Sequence, residues 1–195
     1  MVDQQTFLLS TSRLDIRWFA EEHAESDAYL RWLNDDLVVR YLGRPELMAQ
    51  VDRSYAMSYY LSVKKDEDIF FFALFDRSSD VFIGTARLKN VSAYEKWDIV
   101  DIGIMVGERA FWGKGYGGEV IRALASFCFD VMNSRKVVGG CHAENSAMEA
   151  VFRKVGFELE GRLRDQLCVG GEFTDHLLFG YLKRDFRRSP YGRGA

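Results

Sequence analysis

Apolar and polar positions alternate along this chain in a way that predicts strands and helices in mixed order. Residues 14–19 read as a strand. Residues 69–75 and 81–88 are aromatic and β-branched runs separated by Asp76-Arg77-Ser78-Ser79-Asp80, a polar loop of hairpin length, so they are expected to pair antiparallel. Between these regions, residues 20–33 and 46–63 carry apolar side chains at helical spacing on either side of a turn at Gly43-Arg44-Pro45. Residues 98–106 alternate with period two. Val100, Ile102, Ile104 and Val106 fall on one face and Ile99, Asp101, Gly103 and Met105 on the other, which turns Asp101 away from the more apolar side. A helical face follows, made of Val120, Ile121, Leu124, Phe127, Cys128 and Val131. Then come a strand over 136–141, a helix over 146–155 ending at Gly156, and terminal strands over 157–167 and 173–182 joined across Gly170-Gly171. The fold class is α/β of mixed α+β order, rich in strands, with no internal repeat and no linker.

Between the strand at 98–106 and the helix after it lies Arg109-Ala110-Phe111-Trp112-Gly113-Lys114-Gly115-Tyr116-Gly117-Gly118-Glu119. Four glycines in six positions remove side chains where a ligand must approach the backbone, and the helix start offers unsatisfied N–H groups to an anion. A tight structural turn is the plainer reading of the same residues. Gly113, Gly115 and Gly118 fit the dinucleotide pattern G-x-G-x-x-G, but six residues separate them from their strand and no series of βαβ units follows. A Walker loop needs glycine five residues before its Gly-Lys pair and Ser or Thr after it, where Glu108 and Gly115 stand.

The run Trp112-Gly113-Lys114-Gly115-Tyr116-Gly117 resembles the acyl-CoA-binding motif Q/R-x-x-G-x-G/A of the GNAT superfamily of N-acetyltransferases, with Trp112 in place of Arg or Gln. Four further landmarks occur in order: Thr11-Ser12-Arg13-Leu14, Trp32-Leu33-Asn34-Asp35, Asn145 with Gly156-Phe157, and Glu160-Gly161-Arg162-Leu163-Arg164. Together they resemble the branch holding ribosomal-protein alanine and spermidine N-acetyltransferases. The resemblance implies a single GNAT-like domain over residues 6–186 with a central, mostly antiparallel mixed sheet flanked by helices and central strands that splay. Residues 187–195 are expected to form a flexible C-terminal tail.

It also implies an acetyl-CoA-dependent N-acetyltransferase working by direct amine attack, without a metal. The acceptor would be a protein N-terminal α-amine, or alternatively a polyamine, amino sugar or antibiotic; a non-catalytic CoA-binding or interaction module is the reading from another class. Candidate cofactor-binding residues are Met105, Val106, Trp112, Gly113, Lys114, Gly115, Tyr116, Gly117 and Asn145. Met105-Val106 would supply an amide to the thioester carbonyl. Asn145 could contact the cofactor arm, cap the helix after it, or do both.

An alkylamine with a pKa near ~10 arrives protonated and must lose a proton before attack. Asp101 and Asp175 are the candidate catalytic carboxylates, with an ordinary ion pair on a strand face as the alternative for Asp101. The proton donor for the departing thiolate is missing: the Tyr and Ser of relatives correspond to Phe152 and Met148. His142 reads as structural and Cys141 as packed.

Bulk properties change this picture little. The 195 residues are 48% apolar and 28% charged, a globular balance. A net charge of −3 gives no electrostatic footprint for direct nucleic-acid binding. Cys128, Cys141 and Cys168 lack the spacing of a disulfide framework or zinc site, which points to reducing cytoplasm. The polar start Met1-Val2-Asp3-Gln4-Gln5 predicts neither secretion nor a membrane partner. A monomer or a homodimer is expected.

Overall fold

In the computed structural model, residues 8–189 are described. The segments 1–7 and 190–195 lie outside them, and with them the polar start and most of the expected tail.

An eight-stranded sheet organises the fold, with strands β1 (Leu8–Ser10), β2 (Leu14–Trp18), β3 (Ile69–Asp76), β4 (Val81–Asn90), β5 (Ile99–Val106), β6 (Lys136–His142), β7 (Glu158–Val169) and β8 (Glu172–Leu182). Their order in the sheet is β1-β2-β3-β4-β5-β6-β8-β7. The β5–β6 pair is parallel, and the pairs β1–β2, β2–β3, β6–β8 and β7–β8 are antiparallel. A parallel neighbour needs a crossover, which the glycine run and its helix supply. The parallel register covers Ile99↔Lys136, Val100↔Val137 and Asp101↔Val138. Among the described residues Asp101↔Val138 is its last pair, although β5 runs on to Val106 and β6 to His142.

Contacts gather into two units. The first reaches Arg87 and resumes over Ile104–Tyr116; the second takes Leu88–Gly103 and the chain from Gly117 onward. In the first unit, helices α1 (Glu21–Ala24), α2 (Asp27–Leu33), α3 (Asp36–Val39) and α4 (Arg53–Lys65) accompany β2 and β3. The single helix expected over 20–33 divides because Ser26 caps α2, its Oγ accepting from Tyr29 N at 3.2 Å. The one expected over 46–63 likewise begins as a 3₁₀ turn, Pro45–Met48, and restarts at Arg53 with Asp52 as its cap. The core here is aromatic: Phe19, Tyr29, Trp32, Tyr60, Phe71 and Phe75 are buried together with Met105.

The second unit contains most of α5 (Tyr116–Asp130), α6 (Ser146–Val155) and α7 (Lys183–Phe186). Val120, Ile121, Leu124, Phe127 and Cys128 of α5 are buried as the spacing predicts, whereas Val131 lies past the helix end and is 65% exposed. Phe152 of α6 stacks on Phe179 of β8 with ring centroids 5.0 Å apart and packs over Gly139 of β6. Burying each such ring contributes roughly 2–3 kcal/mol.

The alternation expected along β5 holds only in part. Val100 and Ile102 are buried, but Met105 is the next buried residue, in place of Ile104 and Val106. The change falls where the chain passes from the second unit to the first, and Met105 joins the aromatic core there. Of the expected tail, Arg187 and Ser189 turn back onto α7 through bonds to Lys183 O and Asp185 O, below the buried Phe186.

Candidate active site

In the first unit the glycine run is a braced loop. At the end of β5, the N–H groups of Gly107 and Glu108 both donate to Ile83 O at 2.9 and 3.0 Å. A 3₁₀ turn, Arg109–Phe111, brings Trp112 round so that its indole Nε1 donates to Val106 O at 2.6 Å. Trp112 therefore ties the loop to the strand end through its side chain. Behind this loop stand the last turn of α2 and Asp35 just after it: the Trp32 ring occupies the space where a side chain on Gly107 would be, and Asp35 and Arg31 pair with Arg109 and Glu108 at 3.5 and 2.7 Å. Trp32-Leu33-Asn34-Asp35 thus has a physical role as a brace.

Gly113 and Gly115 have φ of +71° and +84°, a region that side chains disfavour. A Cβ on Gly113 or Gly118 would meet nothing within 4 Å, so this side of the loop is open. Tyr116, the first residue of α5, is 8% exposed and donates its hydroxyl to Asp76 Oδ1 at 2.5 Å. Arg13 lies over the Tyr116 ring, 4.5 Å from its centroid, and Arg13 Nη1 donates to Lys114 O at 2.9 Å. The buried Asp76 carboxylate also accepts from the hydroxyls of Ser78 and Ser79 and from Ser79 N. The Ser78 hydroxyl, then Tyr116 and Ser79, hold it well below the ordinary carboxylate range, so it is ionised and accepts strongly from Tyr116. Lys114 itself is exposed, and its backbone carbonyl is the group the latch uses.

The second unit holds the remaining candidates. Asn145 caps α6, its Oδ1 accepting from Met148 N at 3.1 Å. Asp175 accepts from Arg162 Nε and, at 2.9 Å, from Asp165 N. These bonds hold its carboxyl below the usual range, the Asp165 N–H contributing most, and bind it to the β7–β8 hairpin. Asp101 is half-buried on β5, opposite Val138. Beyond that pair, His142 of β6 faces His176 of β8 in register. Burial lowers the pKa of both histidines; Glu144 opposes this for His142, and Asp101 opposes it for His176. Glu144 in turn accepts from Thr174 Oγ1.

The position of the missing proton donor has a packing explanation. Phe152 is 1% exposed among Phe157, Phe179 and Gly139, where a hydroxyl would be buried in an apolar site. Tyr116 has already committed its hydroxyl to Asp76. The Cys141 thiol is buried and pushed up to about 11 by desolvation, which leaves it inert as a nucleophile. Among the described residues no group of three or more His, Cys, Asp or Glu could hold a metal ion, and no helix is long and apolar enough to cross a membrane. Asp76, Gly140 and His176 were not marked by the sequence, and Arg13 only as part of Thr11-Ser12-Arg13-Leu14, because each makes its contact with a partner on a different element.

Residues 13–158 match the family described as the acetyltransferase (GNAT) domain. The chain is 26% identical over 180 residues to the N-acetyltransferase p20 of Bacillus licheniformis, covering 91% of this chain and 97% of that protein. It is 26% identical over 114 residues to the ribosomal protein uS5-alanine N-acetyltransferase of Escherichia coli, covering 58% of each. Among solved structures, the spermidine N-acetyltransferase of Vibrio cholerae in complex with CoA and spermine superposes with a TM-score of 0.78 at 17% identity, over 90% of this chain and 99% of that one.

Proposed function

The chain belongs to the GNAT acetyltransferase family, and on that premise we propose that it carries the acetyl group of acetyl-CoA to a protein N-terminal α-amine. It is a GNAT-type N-acetyltransferase; the acceptor and the residue roles are the proposal. The observation that carries the cofactor assignment is the loop of Gly113, Lys114 and Gly115. Gly113 leaves one side open, while Arg13, 3.6 Å from where a Cβ on Gly115 would stand, and Tyr116 hold the other, the arrangement that lets backbone N–H groups approach a diphosphate.

Gly113 to Gly117 take the diphosphate through their backbone, and the Met105-Val106 segment supplies an amide to the thioester carbonyl. Trp112 acts through its bond to Val106 O, keeping that segment and the glycines in one geometry. Asn145, which caps α6, is the candidate of the second unit for contact with the cofactor arm. The acid–base work falls to the Asp101 side of β5, since Asp175 is bound into its hairpin. The preference for an N-terminal α-amine rests on the likeness to the uS5-alanine enzyme, the likeness to the spermidine enzyme being one of fold.

The test offers acetyl-CoA with short peptides bearing free or blocked N-termini, with spermidine and with an amino sugar, and reads thiol release and product mass. Acetylation of free peptide N-termini is expected. Turnover confined to spermidine or the amino sugar would replace the acceptor, and CoA binding without turnover on any amine would remove the transfer itself.

A further inference from the structure

On β6, Val137, Gly139 and Cys141 lie on the side that packs on α6, with Phe152 over Gly139, so Val138, Gly140 and His142 lie on the other. On β8, Leu177 and Phe179 are buried, Phe179 against Phe152, which turns His176 to the same side as Gly140. A Cβ built on Gly140 would stand 2.1 Å from His176 Nε2, so the imidazole lies across the β6 backbone in space that glycine alone leaves free. From the far edge of β6, Asp101 pairs with Val138, two residues from Gly140 on the same side, and its charge acts on the imidazole. Three strands thus put a carboxylate and an imidazole on one side of the sheet, the imidazole over Gly140 and the carboxylate beside Val138.

We propose that His176 takes the proton from the acceptor amine and that Asp101 is the positioning residue that orients its imidazole, an assignment that rests on the acetyl-transfer reading above. His176 is half-buried and can be reached, whereas His142 is 2% exposed. The groups facing the imidazole are Asp101 from β5, His142 from β6 with Glu144 beyond it, and from β7 the apolar Leu163, flanked by Arg162 and Arg164. Burial keeps the imidazole neutral at neutral pH, and a base that titrates near the working pH serves better than a carboxylate. In the reaction the ammonium gives one proton to the imidazole, and the freed lone pair forms the C–N bond at the thioester carbonyl. The C–S bond breaks with its electron pair going to sulfur, and the second nitrogen proton passes to the thiolate. The products are the amide and CoA thiol; the imidazolium returns its proton to solvent.

The experiment follows kcat/KM against pH for the wild type, His176→Gln and Asp101→Asn with a free N-terminal peptide, alongside CoA affinity by calorimetry and imidazole titration by NMR in the substrate-free proteins. His176→Gln should lose about 10²–10⁴-fold in kcat/KM at neutral pH, lose the rising limb of the profile, recover partly at high pH as the amine deprotonates itself, and bind CoA as before. In Asp101→Asn the His176 titration should move to lower pH, because the charge that raised it is gone. An unaltered rate and profile in folded His176→Gln overturn the assignment, as does an unmoved His176 titration in Asp101→Asn. If the wild type binds CoA but acetylates no amine, the transfer reading fails separately, and the NMR comparison still decides whether Asp101 and His176 form a pair.

Discussion

In the first unit the proposed cofactor site is a contiguous loop that offers its backbone and is held from behind by Arg13, Asp76 and Tyr116. In the second unit the proposed proton-transfer site takes the side chains of Asp101 and His176 from β5 and β8, with Gly140 on β6 between those strands, held in place by sheet register and by the absence of one Cβ. The difference teaches where each site is vulnerable. The loop tolerates changes of side chain except at its positive-φ glycines and its supports; the three-strand cluster depends on the chemistry of each side chain it uses.

The sharpest way to break this contrast is at Asp101. Asp101→Asn should lower amine-dependent turnover by about 10²-fold or more while leaving CoA affinity within a few-fold, because the damage is confined to proton transfer. Near-normal turnover across the pH range, measured by thiol release, would remove the carboxylate from the mechanism. The converse substitution, Gly115→Asp, forces a disfavoured φ on the loop and puts a carboxylate against Arg13, its support, and CoA affinity measured by calorimetry should fall by roughly 10- to 100-fold. Unchanged affinity in a folded protein would falsify the cradle.

A milder cut separates the loop from its support. Tyr116→Phe keeps the ring under Arg13 and removes the bond to Asp76, so CoA should bind about 2- to 10-fold more weakly, with turnover at saturating acetyl-CoA little changed. A larger loss in turnover than in affinity would tie the latch to the chemistry and blur the contrast. The smallest effect belongs to the molecule as a whole. His23, His142 and His176 all have pKa values lowered chiefly by burial, so once pH falls into the range below about 6.5 the unfolded chain binds more protons than the folded one. Stability is therefore full above this range and lost as pH falls through it, and Tm should decline by a few degrees from pH 7.5 to 5.5. A Tm that rises on acidification in that interval contradicts the assignment of the three histidines as neutral in the folded protein.

How much of this was legible follows from the same contrast. The glycine run is contiguous, and backbone demands at Gly113 and Gly115 write themselves directly into residue type, so the loop could be read in one pass. Its latch could not, because Arg13 and Lys114 stand 101 positions apart and Asp76 looks like any turn carboxylate. His176 sits between Asp175 and Leu177 with nothing local to mark it; the reason it can lie flat is a glycine on another strand. Asp101 was legible through alternation, which the strand obeys up to Gly103, while Met105 departed from it by entering a second core. The helices at 20–33 and 46–63 were found but not their breaks, since Ser26 and Asp52 can be surface residues as readily as caps until the chain turns there.

The chain leaves the first unit inside β4, returns to it inside β5 and leaves again inside α5. No handover falls in a linker, so a fragment stopping before Ile104 would emerge from synthesis with Asp76 lacking its tyrosine and the aromatic cluster lacking Met105. Such a fragment should expose that cluster and aggregate rather than wait. The two units cannot be exchanged between relatives as cassettes by a single crossover, and a split version of this enzyme is better cut in the connection at residues 91–98, between β4 and β5, than at either boundary of the units.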